Sequence, residues 1–344
     1  MSLLLAMTGW HIEDWRGRFA ALLPELPVVT LGEPFDRRAV HYVASWKHPE
    51  GSLAGLPNLA AIFSLGAGVD HIFADSRLPP VPIARVVDPD LTTRMSEYIV
   101  LHCLMHLRQQ RRYDRQQLAK SWEDDRDQPA ARSVRVGVMG LGELGLDAVR
   151  KLQVLGFDVA GWSRSPKSVD GLVTFAGEDG MAGFLARTDI LVSLLPLTPD
   201  TRGVIDAKLL GGLAQGGRLG GPFLINAGRG GLQVETDILS ALETGTLRGA
   251  TLDVFQTEPL PADSPLWSHP AVTVTPHNAA MSDPEAIATL IAAQIRRLQA
   301  GEALEHGRGQ QQGCGEGKAH GSLRRGEEDR AGLAVQHLST TTVP

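Results

Sequence analysis

The chain has 344 residues, 33 basic against 39 acidic side chains, and a formal net charge of −6. That length suggests about two domains with additions, and the acidic balance argues against a general nucleic-acid or anionic-membrane binder, which needs a basic field. No apolar stretch is long enough to span a bilayer, and Cys103 and Cys314 sit far apart in unlike contexts, which argues against a disulfide framework and for a reducing cytoplasm.

The apolar start, Met1–Met7, lacks a basic region and reads as a first buried strand rather than a signal peptide. Short apolar runs at Leu3–Met7, Val40–Val43, Leu59–Ser64 and Ile83–Val86 alternate with helical segments, the pattern of a small α/β unit. Residues 96–119 contain no Pro or Gly and form one long helical pattern, apolar at first and basic later, from Arg108 to Arg115. His102 and His106 on it have metal-ligand spacing, but no Glu or third ligand accompanies them, so no metal site is expected. The arginine cluster fits a solvated face or a subunit contact better than nucleic acid.

A polar stretch, Glu123–Ser133, leads into Val134–Met139 and then Gly140-Leu141-Gly142-Glu143-Leu144-Gly145. This is the strand, glycine turn and helix order of a dinucleotide fingerprint. Gly140 permits the tight turn, Gly142 lets backbone N–H groups approach a pyrophosphate at the helix N-terminus, and Gly145 lets helix and strand pack closely. Roughly 130 residues precede this run, enough for a separate domain. Further strands at Asp158–Trp162, Ile190–Leu195, Phe223–Asn226, Ala250–Phe255 and Val272–Thr275 follow at βαβ spacing and imply a doubly wound parallel sheet. The amphipathic segment Glu285–Gln299 comes after that sheet is complete and is expected to return to the first domain.

An NAD-specific site wants an acid about 20 residues past the fingerprint. Trp162-Ser163-Arg164-Ser165-Pro166-Lys167 stands there instead, so Ser163, Arg164, Ser165 and Lys167 suit a 2′-phosphate and NADP(H) is preferred, with NAD(H) as the alternative. The glycine-rich 211–222 is a loose loop that leaves Arg229 in register. From His306 onward the chain is rich in Gly, Gln and charge and is expected to be disordered; the abrupt change after Glu302-Ala303-Leu304-Glu305 raises a reading-frame or gene-end anomaly.

Three motifs follow the fingerprint in order: Asn226-Ala227-Gly228-Arg229-Gly230, Leu252-Asp253-Val254-Phe255-Gln256-Thr257-Glu258-Pro259, and Thr275-Pro276-His277-Asn278-Ala279-Ala280. With them, and with Leu65-Gly66-Ala67-Gly68-Val69-Asp70-His71 and Ser264-Pro265-Leu266-Trp267, the chain resembles the D-isomer-specific 2-hydroxyacid dehydrogenases, within them most nearly the glyoxylate/hydroxypyruvate reductase A branch. The resemblance runs to about Leu304. It implies an α/β protein in which a Rossmann-type doubly wound sheet is inserted into a smaller flavodoxin-like α/β domain. The expected division is 1–98 for the first part of the substrate domain, 99–275 for the nucleotide domain, 276–304 for the returning helix and 305–344 for the tail.

The implied reaction is NADPH-dependent reduction of a small 2-oxoacid, glyoxylate or hydroxypyruvate. Arg229 suits the substrate because a guanidinium can grip a carboxylate and its adjacent carbonyl with parallel hydrogen bonds. By resemblance His277 is the general acid and Glu258 the carboxylate that keeps it protonated. The loop of Leu65, Gly66, Ala67 and Gly68 would bind the substrate carboxylate through its amides, chiefly those of Ala67 and Gly68. Trp46 and Trp267 are candidate pocket walls. Leu195, Pro196, Leu197 and Thr201 match the family loop beside the cofactor, Ala227 and Gly228 belong to the arginine motif, and Asp253 matches the position facing the nicotinamide amide. A homodimer is implied, with no membrane or nucleic-acid partner. Two other readings stay open: an NAD-linked dehydrogenase of a bulkier D-2-hydroxyacid, and a dinucleotide-sensing corepressor-like protein.

Overall fold

A computed structural model describes residues 1–305 and the short strand 307–308. The order is β1 (Ser2–Met7), α1 (Ile12–Leu22), β2 (Val28–Thr30), β3 (Val40–Trp46), β4 (Ala61–Ser64), α2 (Asp70–Phe73), β5 (Ile83–Ala84), α3 (Pro89–Leu107), α4 (Gln110–Ala119), β6 (Arg135–Met139), α5 (Glu143–Val154), β7 (Asp158–Ser163), β8 (Val173–Ala176), α6 (Gly177–Ala186), β9 (Ile190–Ser193), α7 (Ala207–Gly211), β10 (Phe223–Asn226), α8 (Glu235–Glu243), β11 (Gly249–Leu252), β12 (Val272–Val274), α9 (Pro284–Gln299) and β13 (Gly307–Arg308). Two sheets result. The first runs β13-β5-β4-β3-β1-β2, parallel except for β13, and the second runs β12-β11-β10-β9-β6-β7-β8, all parallel. The first has the flavodoxin-like order and the second the Rossmann order.

The strands read as unbroken apolar runs because both faces of each sheet are covered. Leu3 and Leu5 of β1 point to one core with Trp15, Phe19, Tyr42 and Phe63, while Leu4 and Ala6 point to the other with Val43 and Ile62. In the second sheet Val136 and Val138 face one side and Met139 the other. The chain leaves the first sheet after β5 and comes back with α9, whose Ile287, Ile291 and Ile295 are buried against α1 and β1. Asp283 caps that helix ahead of Pro284, and Asp88 caps α3 in the same way ahead of Pro89.

Three departures from the sequence reading have local causes. The expected helix over 96–119 begins earlier, at Pro89, and breaks at Gln109, whose φ of 55° is left-handed. Asp125 draws the side chains of both Gln109 and Arg112 onto its carboxylate, a tertiary contact that overrides a run of good helix formers. Met95, before the expected boundary at 98, already packs in the core of the second sheet. The edge strands β2 and β8 are additional to the expected strands; β2 is only three residues long and β8 is half exposed, so neither carries a strong apolar signal. Gly307–Arg308 pairs antiparallel with β5, and the rest of the expected disordered tail, with Cys314 and the frame anomaly, lies outside the described residues.

Candidate active site

The glycine turn joins β6 to α5. Gly140 has φ +105°, and a Cβ on it would lie 2.8 Å from the Leu194 carbonyl oxygen. A Cβ on Gly145 would lie 1.9 Å from the Gly140 carbonyl oxygen, so helix and turn meet only because that residue is glycine. Gly142 is different: a Cβ there meets nothing within 4 Å, and no side chain among the described residues caps α5. The first amides of this helix, from Glu143 and Leu144, therefore open on a space with the electrostatics to take a pyrophosphate. Leu141 packs on Gly161 of β7, and the Lys167 ammonium donates to the Leu141 carbonyl at 2.9 Å, drawing the loop after β7 over the turn.

That loop is equipped for an anion. No acid stands at the end of β7. The Ser163 hydroxyl donates to the Ser165 carbonyl at 2.8 Å, and the Ser165 hydroxyl is buried without a partner among the described residues. Arg164 is more than half exposed, with the Asp200 carboxylate 4.0 Å away. An unsatisfied buried hydroxyl beside an exposed guanidinium fits a phosphorylated ribose. Opposite them, Thr201 folds the Leu195–Thr201 loop by donating to the Pro196 carbonyl at 2.7 Å, and Leu197 packs on Gly231.

Arg229 is presented by a turn built for it. Asn226, fully buried at the end of β10, donates to the Arg229 carbonyl and to Gln233, and accepts from the Gly228 amide. Ala227 is buried behind β9, donating to the Ser193 carbonyl. Gly228 and Gly230 have no room for a Cβ, which would come within 2.8 Å of the Leu195 and 1.8 Å of the Phe255 carbonyl oxygen. Arg229 then reaches the first sheet's loop: Nε donates to Asp70 Oδ1 and Oδ2 at 3.1 and 3.2 Å, and Nη2 lies against Gly68.

In that loop Leu65 is buried, the Gly66 amide donates to the Ser64 hydroxyl, and the same hydroxyl donates to the Gly68 carbonyl. Among the described residues the Ala67 and Gly68 amides have no protein acceptor. Trp46 packs under Gly66, where a Cβ would lie 2.7 Å from its ring, and stacks on Trp10 with centroids 4.8 Å apart. His71, tilted against Trp46, is pushed by burial down to about 4, so it stays neutral beside Asp70 and Arg229.

His277 begins the segment after β12. Its Nδ1 lies 2.8 Å from Glu258 Oε2, while Glu258 Oε1 accepts from the Phe255 amide at 3.1 Å. Burial works to raise the Glu258 carboxyl, but hydrogen bonds from His277 and Phe255, with Lys47 of the first unit nearby, hold it below its ordinary value. His277 has φ +53°, a left-handed conformation held by its amide on the Asp253 carbonyl at 2.8 Å. The Asp253 carboxylate, 1% exposed, accepts from the Thr275 hydroxyl and from the Asn278 and Ala279 amides, so it builds the loop that carries His277.

The structure thus gathers Arg229, Glu258 and His277 at the carboxyl ends of adjacent strands, where open α/β sheets bind ligands, with the Leu65–Gly68 loop and Trp46 opposite. Trp267 is tied to its own loop through Nε1 and Pro261 and half exposed; among the described residues no hydrogen bond or ring contact joins it to the 65–70 loop. Sequence reasoning passed over two residues. Asp70 lies inside the Leu65–His71 motif, but only the fold brings it to Arg229; Trp10 carries no signal in the sequence. His102 and His106 are buried, His106 on the Thr251 hydroxyl, and no group of three potential metal ligands occurs among the described residues.

Residues 100–279 match the family model of the D-isomer specific 2-hydroxyacid dehydrogenase NAD binding domain. The chain belongs to the D-isomer-specific 2-hydroxyacid dehydrogenase family. It is 39% identical over 310 residues to a glyoxylate/hydroxypyruvate reductase A of Serratia proteamaculans, covering 88% of this chain and 96% of that protein. A probable 2-hydroxyacid dehydrogenase of Rhizobium etli, solved with NADP, HEPES and L(+)-tartaric acid, superposes with a TM-score of 0.85 at 46% identity, over 89% of this chain and 97% of the other. An NADPH-dependent glyoxylate/hydroxypyruvate reductase of Sinorhizobium meliloti, solved with NADP and sulfate, gives 0.83 at 45% identity over 90% and 98%. The chain is thus similar to 2-hydroxyacid dehydrogenases along nearly its whole described length.

Proposed function

We infer that the protein reduces a small 2-oxoacid, glyoxylate or hydroxypyruvate, to the 2-hydroxyacid with NADPH. The observation that carries this reading is Arg229 crossing from its glycine-flanked turn to the 65–70 loop, in the same cleft edge as a histidine already bonded to a carboxylate. The family relatives named for glyoxylate and hydroxypyruvate, and the NADP found in two solved relatives, support the choice of substrate and cofactor.

Each group has a task that its surroundings suit. The α5 N-terminus with Gly142 would hold the pyrophosphate; Ser163, Arg164, Ser165 and Lys167 would hold the 2′-phosphate; and the Leu195–Thr201 and Ala227–Gly228 loops with Asp253 would flank the nicotinamide half. When bound, the reduced nicotinamide supplies the hydride that the carbonyl carbon needs. Arg229 grips the substrate carboxylate and polarises the carbonyl, while the Ala67 and Gly68 amides take the other carboxylate oxygen. Glu258 fixes the His277 ring through Nδ1, leaving Nε2 to give a proton to the carbonyl oxygen as charge develops there, and to take it back in the reverse direction. Closure of the first sheet's unit, with α9, on the second sheet's unit, which α3 joins, excludes water around these groups. Trp46 and Trp267 would then bound the substrate from either side.

An open depression lined by Arg94, Glu97, Tyr98, Leu101, Asn278 and Met281, with Leu101 and Met281 more than half exposed, is the face on which a homodimer would form. No helix among the described residues is long and apolar enough to cross a membrane, and a cytoplasmic location accords with the buried free thiol of Cys103. The test is NADPH oxidation with a panel of 2-oxoacids, repeated with NADH. Rapid turnover of glyoxylate or hydroxypyruvate with NADPH is expected. Tight NADPH binding without turnover of any 2-oxoacid would overturn the reading in favour of a dinucleotide sensor.

A further inference from the structure

Arg229 can act on a 2-oxoacid only if its guanidinium is held in one orientation, and the structure shows what holds it. The Nε edge donates to both oxygens of Asp70, and Nη1 donates to the Gly228 carbonyl at 2.7 Å. These two contacts fix the roll of the planar group. They leave Nη2 uncommitted among the described residues, lying over Gly68, where a Cβ would stand 1.8 Å from it and 2.7 Å from Asp70 Oδ1. The free edge of the arginine is thereby set beside the Ala67 and Gly68 amides, which have no protein acceptor of their own among the described residues.

Asp70 belongs to the first sheet's unit and Arg229 to the second's; they are 159 positions apart. The surroundings leave their pairing undisturbed. The neighbouring imidazole of His71 is half-buried and neutral, with Nε2 on the Ser45 carbonyl at 3.4 Å, so it brings no second cation to Asp70. Both partners are about one-quarter exposed, close enough to the cleft to meet a substrate and sheltered enough for geometry to count.

We propose that Asp70 is a positioning residue for the 2-oxoacid reduction, which aims the Arg229 guanidinium across the cleft and gives it its proper orientation only when the two units are together. This rests on the reading of Arg229 as the substrate-binding arginine. The chemistry predicts an unusual kinetic signature. Without Asp70 the arginine swings free, and the carbonyl is no longer polarised in the reactive pose. The substrate carboxylate, however, loses a repelling neighbour and still meets a full positive charge. Turnover falls while apparent affinity does not.

The experiment compares Asp70→Ala, Asp70→Asn and Arg229→Ala by steady-state kinetics with NADPH and glyoxylate, alongside thermal melting and NADPH affinity. The expected result is a kcat at least tenfold lower in Asp70→Ala, with a glyoxylate KM unchanged or lower. Asp70→Asn, which keeps an acceptor for Nε and loses the charge, lies between it and the parent and reports if the alanine variant does not fold. A kcat within threefold of the parent in these variants, or a KM rise as large as the kcat loss, overturns the proposal. Arg229→Ala separates the two levels: parental turnover in that variant means that the reading of Arg229 has failed, whereas an inactive Arg229→Ala beside a fully active Asp70→Ala means that only the role of Asp70 has failed.

Discussion

Acid should loosen this protein from beneath its active site, through two histidines that do no chemistry. His102 and His106 are 5% and 7% exposed on α3. His106 Nε2 lies 3.1 Å from the Thr251 hydroxyl of β11, and His102 packs on Tyr98, whose hydroxyl lies 2.8 Å from that of Thr275, the residue that donates to Asp253 under the His277 loop. Burial pushes His102 down to about 4 and His106 down to about 3, from an ordinary 6.5. Both are therefore neutral when folded, while the unfolded chain takes up protons once the pH drops below 6.5. The stability they represent is complete above that value and is lost progressively as pH falls toward 4 for His102 and toward 3 for His106. At pH 5 the loss is on the order of 2 kcal/mol for each histidine, or about 4 kcal/mol for the pair. Lowered carboxylates such as Glu258 and Asp75 lose their contribution only further into acid, whereas His48 and His71, also pushed down by burial, titrate in the same window, so the difference between parent and variant is what isolates His102 and His106. The assay is urea denaturation followed by fluorescence at pH 8 and pH 5, on the parent and on His102→Gln/His106→Gln. Between pH 8 and pH 5 the double variant should lose about 4 kcal/mol less stability than the parent does. An equal pH dependence in the two proteins would refute the reasoning.

The glycines of the fingerprint should separate by substitution. Gly142→Ala has open space for its methyl and should leave the melting temperature unchanged while raising the NADPH Kd about tenfold; Gly145→Ala must push against the Gly140 carbonyl and should cost about 1–3 kcal/mol in denaturant unfolding. Arg164→Glu should raise the NADPH Kd by about ten- to a hundredfold and leave NADH binding nearly unaltered, as measured by nicotinamide fluorescence; equal effects on both cofactors would remove the 2′-phosphate assignment. Asp189, buried at the foot of β9, accepts from the Arg135 amide, Nε and Nη2. Asp189→Ala should lower unfolding stability by about 3–5 kcal/mol with unchanged kcat per folded molecule, and a kcat loss without destabilisation would contradict the structural role.

What the sequence exposes and what it conceals follow from the range of the forces involved. The order of strands, the glycine turn and the segments bearing Arg229, Glu258 and His277 are legible because each depends on neighbours a few positions away. A Cβ at Gly145 strikes Gly140, and Asn226 braces the turn that ends three residues later at Arg229. The left-handed Gln109 is illegible because its cause, Asp125, lies across a loop, and the flanking residues all favour helix. The stack of Trp10 on Trp46 is illegible for the same reason: the rings come from the loop after β1 and the end of β3, which are neighbours only in the sheet. Asp70 is the most instructive case. Its position inside a glycine-rich loop marks it as a helix-starting residue, which it is, since α2 begins there. Its second task arises from parallel pairing in two separate sheets, which brings the carboxyl end of β4 to face the carboxyl end of β10. Local sequence can specify the arginine and its turn. The direction in which the guanidinium points depends on a carboxylate supplied by the other unit, so the orientation of the site is a property of the closed pair and of neither sheet alone.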